Sequence, residues 1–70
     1  MENKDEALIY VYFVDGSIST YTITGNTYYS AQAKAANSID VNDTTITIKH
    51  NDGTAILVTQ NVLKVGICAS

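Results

Sequence analysis

No proline, tryptophan or arginine occurs in the 70 residues, and there is one cysteine and one histidine. Each absence removes a possibility. A lone thiol forms no disulfide within the chain, and one cysteine with one histidine cannot make a structural zinc site. Two supports common in small domains are therefore missing. Without arginine there is no planar fork for phosphate or guanine edges, and the four lysines (Lys4, Lys34, Lys49, Lys64) are too scattered to form a basic stripe. With a net charge of −3, direct nucleic-acid binding is not expected. No apolar run is long enough for a membrane helix, and Met-Glu-Asn-Lys-Asp-Glu is too charged to begin a signal peptide. The expectation is a cytoplasmic protein with no membrane contact, the lone thiol fitting a reducing compartment.

The most apolar stretch is Ala7–Val14, Ala-Leu-Ile-Tyr-Val-Tyr-Phe-Val, which runs into Asp15-Gly16. A run this rich in β-branched and aromatic residues, closed by a turn signal, reads as a strand with apolar groups on both faces. Ile18–Thr24 follows as its hairpin partner. A two-residue loop would pair Val14 with Ser17, whereas a three-residue loop ending at Gly16 pairs Ile9 with Tyr21 and Phe13 with Ser17. The second register gathers Ile9, Val11, Phe13, Tyr21 and Ile23 on one face. It leaves Leu8, Tyr10, Tyr12 and Ile18 with Thr20 and Thr22 on the other, and is preferred because burial pattern sets register.

Gly25-Asn26 interrupts the strand, and Asn26 or Thr27 caps a helix expected from Tyr28 to about Asn37, rich in alanine and without β-branched residues. Its stripe of Tyr28, Ala31 and Ala35 is small enough to lie close on a sheet. Asn37–Asp43 reads as a polar connection. Thr44–His50 alternates, with Ile46 and Ile48 on one side. Asn51-Asp52-Gly53 reads as a three-residue hairpin loop, setting Ile48 beside Ile56 and Ile46 beside Val58. Val62–Cys68 is a last strand or a bent continuation, with Gly66 as a bulge or close-approach point. The expected fold is α+β: one small antiparallel sheet of four to five strands with one helix on one face, in the order β-β-α-β-β with Val62–Cys68 as the fifth strand. Residues 1–6 are expected to be a flexible lead-in and 7–70 a single domain.

No constellation carries chemistry. His50 falls at a hairpin tip and reads as an exposed turn residue without the partner and pocket a general base requires. Asp15 and Asp52 each precede a turn glycine, which accounts for them. Asp40, Asn42 and Asp43 lack the glycine and distal glutamate of a calcium loop. Cys68 has no activating neighbour in sequence and reads as a small buried or edge residue. Gly25-Asn26-Thr27 lacks the spacing and the lysine of a phosphate loop. The chain is accordingly expected to have no catalytic residue, metal site or cofactor.

The five tyrosines are the compositional signal that stands out. Tyrosine joins a rigid apolar body to a polar tip and suits recognition surfaces. Leu8, Tyr10, Tyr12 and Ile18, with Tyr28 and Tyr29 at the helix start, are the candidate partner-binding residues. Their expected partner is a protein, a second copy of the chain in a dimer, or both. In class and composition the chain resembles the small acidic inhibitors and adaptors carried by bacteriophages and mobile elements, anti-CRISPR-type proteins among them. That resemblance implies a non-enzymatic module that occludes a site on a larger protein. The alternative is an oligomeric small-ligand binder that sequesters a nucleotide or metabolite between subunits, with backbone amides at Gly25–Thr27 standing in for missing arginines.

Overall fold

The structure is a computed structural model and describes residues 5–69. Residues 1–4 of the expected lead-in lie outside that range, while Asp5 and Glu6 already belong to the first strand. β1 (Asp5–Phe13) and β2 (Ile18–Gly25) pair antiparallel with Ile9 opposite Tyr21. The Phe13 amide donates to the Ser17 carbonyl at 2.9 Å, so the loop has three residues, Val14-Asp15-Gly16, as expected. Gly16 takes φ +93°, a conformation that glycine alone adopts cheaply. Asp15 Oδ1 accepts from the Ser17 amide at 2.8 Å and the Ser17 hydroxyl at 2.7 Å.

The helix α1 (Tyr28–Ser38) begins on a reciprocal cap. The Ser30 amide donates to the Thr27 hydroxyl oxygen and the Thr27 amide to the Ser30 hydroxyl oxygen, each at 3.0 Å. These bonds satisfy two backbone donors that the first helical turn would otherwise leave bare. Gly25, buried at the end of β2, lets the helix start close by: a Cβ there would stand 2.5 Å from the Ala31 nitrogen.

Beyond the helix the chain departs from the expected single sheet. β3 (Ile39–Val41), β4 (Thr45–His50) and β5 (Gly53–Val58) are followed by a 3₁₀ turn (Thr59–Asn61) and β6 (Val62–Ala69). Six strands form two three-stranded antiparallel sheets, ordered β2-β1-β6 and β3-β4-β5. The expectation of four to five strands in one sheet is thus corrected. Ile39-Asp40-Val41, expected to be connection, pairs with β4, and β6 crosses back to the first sheet to flank β1. The second hairpin also corrects the expected register. Asn51-Asp52 is a two-residue loop, His50 faces Gly53, Ile48 faces Ala55 and Ile46 faces Leu57. A one-residue slip exchanges faces. Ile56 and Val58 therefore stand outward while Ala55 and Leu57 pack against the core. Gly66 sits in regular register opposite Tyr10. The irregularity in β6 comes instead where Tyr12 faces Lys64 and Phe13 faces Val62, leaving Leu63 as the extra residue.

One core joins all layers. Ala7, Ile9, Val11 and Ile23 of the first sheet meet Ala31 and Ala35 of the helix and Ile46 and Ile48 of the second sheet. The helix and the second sheet thus share the task of covering one face of β2-β1-β6. Asn51 pins the two sheets together. Its amide donates to the Thr22 carbonyl at 3.0 Å, its Oδ1 accepts from the Thr24 amide at 3.2 Å, and its Nδ2 donates to the Thr24 hydroxyl at 2.7 Å.

Candidate interaction surfaces

The period-two alternation of β1 places Ala7, Ile9 and Val11 inward and Leu8, Tyr10 and Tyr12 on the opposite face. Residues directly opposite in an antiparallel ladder share a face. That face is therefore a grid of three rows across β2, β1 and β6: Ile18-Tyr12-Lys64, Thr20-Tyr10-Gly66 and Thr22-Leu8-Cys68. Leu8, Tyr10 and Tyr12 are half-buried by their strand neighbours, and Ile18 is 56% exposed. No element among the described residues lies over them. The Lys64 ammonium sits 4.8 Å from the Tyr12 ring centroid, a cation–π contact that keeps one edge of the grid charged. Cys68 is exposed in the third row on the edge strand β6, the edge placement of the two expected.

Tyr28 and Tyr29 do not join this surface. They begin the helix on the other side of the sheet, where Tyr28 is half exposed and Tyr29 is 85% exposed. The six candidate residues thus divide into a sheet group of four and a helix pair.

A second surface has no counterpart in the sequence expectations. An open cleft of about 480 Å³ separates the first hairpin tip from β5, lined by Phe13, Val14, Asp15 and Ser17 on one side and Ile56, Leu57 and Val58 on the other, with Asn61 at its end. The Val14 amide donates to the Asn61 carbonyl at 2.9 Å and so fixes the hairpin tip to the turn after β5. The two Ser17 hydrogen bonds hold the Asp15 carboxyl below its ordinary value, so it stands at the cleft as a carboxylate. A smaller recess of about 220 Å³ lies beside Val58, lined by Asp43, Thr44 and Gln60. The cleft escaped the sequence reading because it depends on which strand becomes an edge and which residues of β5 face outward.

His50 is half-buried, not exposed as expected. Its ring packs on Tyr21 at 4.7 Å between centroids with a 43° tilt, and its Nδ1 accepts from the Asp52 amide at 3.4 Å. That contact gives it a packing role at the junction of the two sheets. Among the described residues no group of three or more histidine, cysteine or acidic side chains is placed to hold a metal ion, and no helix is long and apolar enough to cross a membrane. No known family, no curated protein and no solved structure matches the chain.

Proposed function

We propose that the chain is a non-enzymatic protein-interaction module, an inhibitor or adaptor that occludes a site on a larger protein through the outer face of β2-β1-β6. The carrying observation is the asymmetry of that sheet. One face packs against a helix and a second sheet, and the other presents Leu8, Tyr10, Tyr12 and Ile18 with no element of the described residues over them. Three strands at about 4.8 Å spacing, over the six or so residues that carry the grid, give a patch on the order of 300 Å². A stable interface takes roughly 800 Å² from each partner. Two flat copies stacked on this patch alone fall short, so a larger partner whose concave site also engages the rim fits better. Tyrosines at the centre and a lysine with threonines around them match the apolar middle and polar rim of such interfaces.

The test is the double substitution Tyr10→Ser with Tyr12→Ser. The variant is expected to keep its far-ultraviolet circular dichroism and cooperative melting while losing the partner that the unmodified chain captures from lysate of its host. Equal capture by the variant refutes the assignment of this face. Unfolding of the variant would show that the rings are core rather than contact.

A further inference from the structure

β5 is an edge strand, and its outward backbone is placed to receive another strand. In the β4-β5 ladder, with its two-residue loop, the pairs His50/Gly53, Ile48/Ala55 and Ile46/Leu57 exchange backbone bonds, and the Thr59 amide continues the series by donating to the Thr44 carbonyl at 3.0 Å. The alternate residues Thr54 and Ile56 therefore turn their N–H and C=O groups away from β4, as Val58 turns its N–H, while the Val58 carbonyl caps the 3₁₀ turn. The same alternation on β2 turns Thr22 and Thr24 outward, and there Asn51 fills the carbonyl and the amide. Thr54 and Ile56 have no such plug among the described residues, and Ile56 is 69% exposed.

We propose that β5 accepts an extended segment of a partner protein by strand addition. The segment's inward side chains would be apolar and enter the cleft against Phe13, Val14 and Leu57, with a lysine or arginine falling near Val58. Unpaired edge groups of this kind call for an extended chain. The 480 Å³ cleft lies within the size range of sites that hold ligand groups and takes the alternate side chains of such a strand. Charge sets the polarity. Asp15 and Asp43 flank Val58 at one end of the strand, while Lys49 stands opposite Thr54 at the other. This surface is separate from the outer face of the first sheet and goes beyond the function proposed above.

The experiment uses the full chain and a labelled, end-blocked hexapeptide, Lys-Val-Thr-Val-Thr-Val, followed by fluorescence anisotropy. Saturable binding is expected. Two further peptides carry methyl groups on alternate amide nitrogens, one in each phase; one phase should bind at least tenfold more weakly and the other much as the parent does. Ile56→Pro, at a position whose N–H points away from the ladder, should keep the fold by circular dichroism and weaken binding to a similar degree. Asp15→Asn with Asp43→Asn should flatten the salt dependence, and Gln32→Ala, on the exposed side of the helix, should leave affinity unchanged. Absence of saturable binding, or equal binding of both methylated peptides, overturns the proposal. So does a dimer of the unmodified chain that Ile56→Pro dissociates, because the occupant would then be a second copy.

Discussion

The two faces of β1 are made from neighbouring residues of one strand, yet they have opposite fates. Ile9 and Val11 have no exposed surface, while Tyr10, between them in sequence, retains contact with solvent. The inner face is built from aliphatic groups that interlock with alanines, where every methyl matters. The outer face is built from aromatic rings with hydroxyl tips, which tolerate water and rest on their strand neighbours. In a chain this small the available cover is one helix and one short sheet, and both went to the same side. The difference leaves the outer face, among the described residues, to the support of its strand neighbours alone.

The sharpest way to break this comparison is to truncate adjacent residues of β1. Ile9→Ala should cost about 2–5 kcal/mol, which is comparable to the whole stability of a domain of this size, and Tyr10→Ser only about 1 kcal/mol. Urea unfolding of the two variants measures both, and equal losses would mean that the faces are energetically alike. A smaller loss, about 1–3 kcal/mol, is expected for Gly25→Ala, because the added methyl meets the Ala31 nitrogen at 2.5 Å and forces the helix off the inner face. Thermal melting should show it, with the outer-face tyrosines retaining their solvent accessibility to quenchers.

The smallest effect concerns Asp15 at the hairpin tip. Its carboxyl is held below its ordinary value of 3.8 by the Ser17 side-chain and backbone hydrogen bonds. A lowered folded value means that the stabilisation is fully present above 3.8 and disappears as pH falls through the folded value. The melting temperature of the unmodified chain should therefore exceed that of Asp15→Asn slightly at neutral pH, with the gap closing as pH falls below 3.8 and through the folded value. A gap that persists in acid would assign the effect to something other than the charge.

Much of the first half of the molecule was legible in the sequence, because independent signals agreed there. The burial pattern across Ala7–Val14 and Ile18–Thr24 chooses between the two registers that Asp15-Gly16 leaves open, and the alanine stripe with Thr27 before it places the helix and its cap. The second half was ambiguous for a physical reason. Ala55, Ile56, Leu57 and Val58 are all apolar, so neither parity of the strand is marked, and Gly53 can lie inside a three-residue loop or just after a two-residue one. Ile39-Asp40-Val41 is too short for periodicity to register. The pairing of β6 with β1 links residues about sixty positions apart, beyond any local rule. For the candidate surface, the alternation of Leu8, Tyr10 and Tyr12 was readable, whereas the separation of Tyr28 and Tyr29 from it is a matter of tertiary placement.

Asn51 also decides how the first sheet can grow. With its side chain and amide occupying Thr22 and Thr24, the C-terminal half of the β2 border is already spoken for, and a strand arriving there would have to pry the second hairpin away. Within the first sheet, the β6 border is the one that a strand could join along its length without that disruption. A ribbon that can be lengthened along one flank alone pairs once and then ends, so Asn51 limits growth through the first sheet, though not at the β5 border of the second.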